Sequence, residues 1–113
     1  MKVSTRRDGE IGILAMVGDL DLGADTAAFH AAVRELVSGG AKHILVDLAG
    51  VGYVSSPGLG ALVSGMATLR ETGGQFKLVA PAERVRAVLA VTRLTQVFEI
   101  FGDQASALAS FGA

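Results

Sequence analysis

The decisive stretch is Val54-Ser55-Ser56-Pro57-Gly58-Leu59-Gly60-Ala61-Leu62, where an apolar strand gives way to a helix. Pro57 fits the first helical position, because the N–H that proline lacks would have no partner there. A residue before proline favours extended geometry, which makes Ser56 the predicted N-cap. A helix start favours an anion, so the domain itself would accept a phosphate on Ser56. The alternative is that Ser56 is a cap and nothing more, as serine commonly is.

Strands and a helix are also predicted upstream of this stretch. A polar segment from Lys2 to Arg7 and an apolar run from Ile11 to Val17 are separated by the turn signal Asp8-Gly9, so they predict a hairpin. An apolar stripe predicts a helix between Asp25 and Val37. The apolar run that follows, from His43 to Leu48, is typical of a strand covered on both faces.

Downstream, helices and strands continue to alternate. The predicted elements are a helix from Pro57 to Arg70, a strand from Phe76 to Ala80, a helix from Ala82 to Val91, a short strand from Val97 to Phe101, and a helix capped by Asp103. This order predicts an α/β fold. We expect a single domain over residues 1–113, with a mixed, mostly parallel sheet of about four to five strands and helices packed on it. Ser55 and Ser56 then lie beyond the carboxyl end of a strand, where functional groups gather in such sheets.

Composition limits the classes of function. The chain has 113 residues, of which 50% are hydrophobic and 19% charged, which indicates a folded domain. A net charge of -1 provides no basic surface for nucleic acid, and the absence of cysteine excludes a disulfide or a thiol nucleophile. With neither a signal-peptide pattern nor an apolar run of membrane-spanning length, we expect a soluble cytoplasmic protein with no membrane span.

The acidic residues offer two further possibilities. Asp19, Asp21 and Asp25 follow the second strand, and three acids suit a hard cation. The alternative is a loop with a helix cap, and the spacing does not match an EF-hand. Asp47 could accept a phosphoryl group, as in a receiver domain, but that fold needs an acid pair after its first strand. We expect Asp47 to bond backbone in a turn at Leu48-Ala49-Gly50.

No catalytic or metal site is predicted. His30 and His43 have no metal-ligand spacing. Gly58 and Gly60 lack the lysine of a phosphate-binding loop, and Ser56 lacks the flanking glycines of a hydrolase elbow. What remains is a surface. One face of the second helix carries small or short side chains that let a partner backbone approach closely, although alanine-rich and glycine-rich composition alone would also produce it: Gly60, Ser64, Ala67, Thr68 and Glu71.

Residues 47–62 resemble the signature of the STAS domain, the family of sulfate transporters and anti-sigma factor antagonists. The family pattern is Asp-Leu-Ser-Gly-Val, three residues, then Asp-Ser-Ser/Thr/Ala-Gly-Leu-Gly. Gly18-Asp19-Leu20-Asp21 is similar to the family's Gly-Glu-Leu-Asp. The resemblance implies an anti-sigma factor antagonist, a binding protein and not an enzyme. In its dephosphorylated form such a protein captures a serine kinase that is also an anti-sigma factor. The kinase inactivates it by phosphorylating the serine that Ser56 matches.

The resemblance implies a phosphorylation site at Ser56 and no cofactor in this chain, because ATP and magnesium belong to the kinase. The implied partner surface consists of Asp19, Asp21, Ser55, Pro57, Gly58, Gly60 and Ser64. A homodimer is also compatible with the sequence. The alternative function is a STAS scaffold or accessory subunit, in a stressosome or a lipid ABC transporter, without a phosphate cycle.

Three positions depart from the family pattern. Ser55 replaces the usual aspartate, and Pro57 replaces a serine, threonine or alanine. Arg93 stands where the family often has glycine, a residue suited to a left-handed helix end. Either an arginine in that conformation costs about 1 kcal/mol, or the helix ends in a different way.

Overall fold

The computed structural model describes residues 1–111, so the last two residues of the predicted domain lie outside it. Five strands form one sheet in the order of the chain. They are β1 (Lys2–Asp8), β2 (Ile11–Leu20), β3 (His43–Val54), β4 (Phe76–Val79) and β5 (Glu99–Phe101). β1 and β2 form the predicted antiparallel hairpin, and the other neighbours pair in parallel. The predicted α/β class with a mostly parallel sheet is confirmed.

Four helices connect and cover the strands. They are α1 (Ala24–Ser38), α2 (Ser56–Glu71), α3 (Glu83–Val91) and α4 (Gln104–Phe111), with a 3₁₀ turn at Leu94–Gln96. Asp103 accepts the Ser106 N–H at 2.8 Å, which is the predicted start of α4. Arg93 has φ 62°, so of the two alternatives at this position the arginine adopts the left-handed conformation. No helix within residues 1–111 is long and apolar enough to cross a bilayer.

The sheet separates two hydrophobic cores of unequal size. The larger core contains residues from β2, β3 and β4 packed with α1, α2 and α3, among them Leu14, Phe29, Val46, Leu62 and Leu89. The smaller core consists of Leu45, Val79, Ala107 and Phe111, where α4 covers the other face. The apolar stripe of α2 therefore packs into the larger core, and the opposite face of the helix is exposed.

β3 is longer than the sequence predicted. It continues past Leu48 to Val54, because pairing with β2 persists through two register shifts. Gly50 sits at this irregular stretch, where a Cβ atom would lie 2.8 Å from the Met16 carbonyl oxygen. The predicted turn at residues 48–50 is therefore wrong. Asp47 does bond backbone as expected, since its Oδ1 accepts the Ala49 N–H at 2.9 Å. The extension carries the chain to the start of α2.

Candidate functional site

Three segments meet at the carboxyl ends of β2 and β3 and the first turn of α2. Leu20 and Val54 are paired across the last position of the two strands. The Ser55 N–H then donates to the Leu20 carbonyl at 3.1 Å. This bond fixes the loop after β2 beside the start of α2, so the residues predicted on separate segments share one end of the domain.

The N-cap of α2 is Ser55. Its backbone is extended (φ -78°, ψ 173°), and its Oγ accepts the Gly58 N–H at 3.1 Å. The prediction that Ser56 is the cap and Pro57 the first helical residue is wrong by one position. Proline disfavours a helical residue before it, but Ser55 is only 7% exposed and its hydroxyl must find partners. The cap bond and the Leu20 carbonyl, 3.4 Å away, provide them.

Ser56 is consequently exposed and does not cap the helix. The first turn also has fewer free amides than a helix start normally offers. Pro57 has no N–H, and that of Gly58 is taken by the Ser55 hydroxyl, so of the first three helical residues Ser56 alone has an amide that neither the helix nor the cap uses. A group attached to Ser56 would therefore find few amide donors at the start of the helix.

Asp21 is tied electrostatically to this cap. Hydrogen bonds from the Ser55 hydroxyl and then from the Leu22 N–H, which lies 2.7 Å from Asp21 Oδ1, hold the pKa of the Asp21 carboxyl below its usual value. Ser55 has one hydroxyl proton and two acceptors within reach, Asp21 and the Leu20 carbonyl; the charged acceptor is the stronger. The exposed Asp21 thus presents a stable negative charge beside the Ser55 cap, one residue from Ser56 in the chain.

The other two acids of the cluster have different surroundings. Asp25 Oδ2 accepts the Asp21 N–H at 3.2 Å, and its Oδ1 is 3.6 Å from the Met1 ammonium. Asp19 lies over Gly52, where a Cβ atom would be 3.5 Å from the Asp19 Oδ1. Among residues 1–111, no three potential ligands gather as a metal site would require. The acids shape the loop and its charge.

The predicted partner residues on α2 divide into two kinds. Pro57, Gly60 and Ser64 are exposed, as are Ala67 and Glu71 on the same helix. Gly58 is buried, and a Cβ there would collide with the Leu20 carbonyl oxygen. Its role is therefore to let α2 approach β2 closely, and it offers little surface. We call the exposed set Pro57, Gly60, Ser64 and Ala67 the smooth face.

Two exposed hydrophobic side chains flank the site and were missed by the sequence analysis. Leu22, in the loop after β2, is 73% exposed, and Tyr53, near the end of β3, is 44% exposed. Aromatic residues such as Tyr53 are enriched in protein interfaces, and Leu22 adds apolar area on the other side of the site. The signal was present in the sequence, since Leu22 interrupts an acidic loop and Tyr53 is the sole tyrosine, but neither fitted a periodic pattern.

The fold and the site correspond to one protein family. A family model described as "Mlab, STAS domain" matches residues 3–101. The chain belongs to the STAS domain family, as the motif at residues 47–62 predicted. A Thermotoga neapolitana protein provisionally named as an anti-sigma factor antagonist is 35% identical over 74 residues. That alignment spans 66% of each chain, just under two thirds of the relative's length.

Solved structures share the fold. A crystal structure of a Thermotoga maritima protein, also provisionally named as an anti-sigma factor antagonist, has a TM-score of 0.90 at 24% identity and covers 98% of this chain and 95% of its own. The Bacillus anti-sigma factor antagonist SpoIIAA is known in unphosphorylated and phosphorylated forms. Their TM-scores are 0.80 and 0.75 at 19% and 17% identity; they cover 95% and 96% of this chain, and 93% and 98% of their own chains.

Proposed function

We propose that this chain is an anti-sigma factor antagonist that binds an anti-sigma factor serine kinase and is released from it by phosphorylation of Ser56. It acts by binding and has no catalytic role. The observation that carries the proposal is that two adjacent serines have different structural roles. Ser55 holds the helix start with a buried hydroxyl, and Ser56 presents an exposed hydroxyl next to it.

The mechanism is electrostatic. A phosphate on Ser56 adds roughly -1.5 to -2 charges at neutral pH, beside the Asp21 carboxylate whose pKa is already low. Few helix amides are free to neutralise that charge, so it would face the partner. Like-charge repulsion and the loss of solvation at the contact would then weaken the complex, while the domain stays folded.

The partner surface in this proposal consists of the smooth face together with Asp19, Asp21, Leu22 and Tyr53. Leu22 and Tyr53 contribute apolar area, and the small residues of α2 allow close approach. Asp19 and Asp21 are exposed at the edge of this surface and offer hydrogen-bond acceptors there. Ser55 and Gly58 act indirectly, because they set the position of α2.

The test is phosphorylation by the kinase that this chain captures from its own cells. The purified pair is incubated with ATP and magnesium, and fragment-ion mass spectrometry distinguishes Ser55 from Ser56. We expect phosphate on Ser56 alone, and none in Ser56→Ala. Phosphate on Ser55, or no phosphate with a kinase that modifies a control substrate, contradicts the proposal.

A phosphomimetic variant tests the switch itself. Ser56→Asp should bind the kinase at least about tenfold more weakly, because negative charge enters the contact. Its unfolding free energy should change by less than about 1 kcal/mol, since an acid in the first turn of a helix is favourable. Ser56→Asn is the matched control, with similar shape and no charge, and should retain binding.

One observation favours the second candidate, a STAS scaffold or accessory subunit in a stressosome or a lipid ABC transporter. Pro57 removes an amide next to Ser56, and Ser55 stands where the usual pattern has an acid. Both changes suit a surface that is never phosphorylated. Co-purification with a transporter ATPase, in place of a histidine-kinase-like ATPase, would establish this second function.

A further inference from the structure

One edge of the sheet is formed by β1. This strand pairs only with β2, in an uninterrupted register from Lys2↔Val17 to Asp8↔Ile11. It contains neither proline nor a bulge, and six of its seven residues are exposed. A regular edge of this length leaves every second residue's N–H and C=O pointing outward, ready to pair with another strand.

The charges on β1 are complementary to those of a second, antiparallel copy of the same strand. We infer that two copies of the chain associate through antiparallel pairing of β1 with β1, centred on Thr5. In this register Lys2 lies opposite Asp8 of the second copy, and Asp8 opposite Lys2. Ser4 lies opposite Arg6, Val3 opposite Arg7, and Thr5 opposite itself. All seven residues are paired, and no like charges are directly opposed.

Other registers of the β1–β1 pair are less favourable because of the charges that they place opposite each other. In an antiparallel ladder, residues whose N–H and C=O point outward lie opposite residues of the same kind. The twofold axis of a β1–β1 pair therefore passes through one residue and not between two residues. Centring on Ser4 opposes Lys2 to Arg6, and centring on Arg6 or Arg7 opposes a guanidinium to its own copy. Like charges directly opposite destabilise a pair of strands. Thr5 is the only centre that pairs the whole strand with opposite charges at both ends.

The side chains that matter are available for this contact. Neither Lys2 nor Asp8 forms an ion pair within residues 1–111. Arg6 is drawn away from the edge by its bond to Gln104 Oε1 at 2.7 Å, and Arg7 is held by the Gly9 and Gly39 carbonyls. Both guanidinium groups thus have partners inside their own copy, whereas Lys2 and Asp8 can pair across the contact.

An edge-strand contact is small, so the dimer should be weak and dependent on concentration. It lies at β1, away from Ser56, and does not depend on the proposed kinase switch. Sedimentation velocity over a concentration series measures it. Lys2→Asp alone opposes two acids at each end, and Asp8→Lys alone opposes two lysines. Each should weaken dimerisation by at least about tenfold.

Recombining the charges provides the decisive control. The double variant Lys2→Asp/Asp8→Lys should recover the wild-type dimer, because both pairs are restored with opposite polarity. An equimolar mixture of the two single variants should form a mixed dimer at wild-type strength, although each variant alone dimerises at least about tenfold more weakly. A monomer at all concentrations, a dimer insensitive to both single changes, or a double variant that fails to recover would overturn the inference.

Discussion

At the scale of single residues, the two serines at the start of α2 differ in how far the local structure depends on them. Ser55 is buried, caps the helix and bonds the end of β2, whereas Ser56 is exposed and does none of these things. The proposed phosphorylation requires this difference. If both serines were structural, a phosphate would unfold the helix start and the switch would operate by destabilisation.

The two serines therefore differ in what their removal costs. Ser55→Ala should lower the unfolding free energy by about 1–2 kcal/mol, because the cap is lost and the Gly58 N–H is left without its acceptor. Ser56→Ala should change it by less than about 0.5 kcal/mol, as an exposed substitution. Urea unfolding of both variants measures the difference. Equal losses would show that the cap is not Ser55 alone.

At the scale of the elements, α2 separates folding from recognition by its two faces. Leu62 is fully buried in the larger core, and Ser64 lies on the exposed smooth face. Leu62→Ala should destabilise the domain by about 2–5 kcal/mol and reduce binding only as folding fails. Ser64→Arg should keep the thermal midpoint nearly unchanged and abolish capture of the kinase, because a long charged side chain blocks close approach.

The serine at the end of α1 makes a matched control for this experiment. Ser38→Arg introduces the same side chain at an exposed position on another helix, and should leave both stability and capture unchanged. A pull-down and a melting curve for each variant are sufficient. Capture by Ser64→Arg at wild-type strength would place the partner surface elsewhere on the domain.

The sequence predicted the elements better than their junctions. Apolar periodicity located α1 and α2 to within one or two residues. At Arg93 the sequence left two alternatives, a left-handed arginine or a different helix end, and the structure has the first. The second half of β3 was missed because Gly50 and Gly52 resemble a turn, while long-range pairing with β2 keeps them extended. The cap was misplaced by one residue for a similar reason. A local preference set by Pro57 was overridden by burial of the Ser55 hydroxyl.

At the scale of the whole molecule, the two cores differ in how many helices pack on them. α1, α2 and α3 share the large core, while α4 covers the opposite face with eight residues and few buried side chains. Lys77 compensates for this small contact. It is 4% exposed, and its Nζ donates to Ser110 Oγ at 2.8 Å and lies 4.6 Å from the centre of the Phe111 ring. It also pairs with Glu99 at 3.0 Å, which joins β4, β5 and α4.

Because one side chain makes so many of these contacts, α4 should open separately from the rest of the domain. We expect native-state hydrogen exchange to show weaker protection of α4 than of β2 and β3. Lys77→Met keeps the apolar stem and removes the charge-assisted bonds. It should speed exchange in α4 by about tenfold, a loss of about 1.4 kcal/mol, and change exchange in β2 much less. Equal acceleration in α4 and β2 would mean that both faces of the sheet unfold together, so that α4 is part of one cooperative unit.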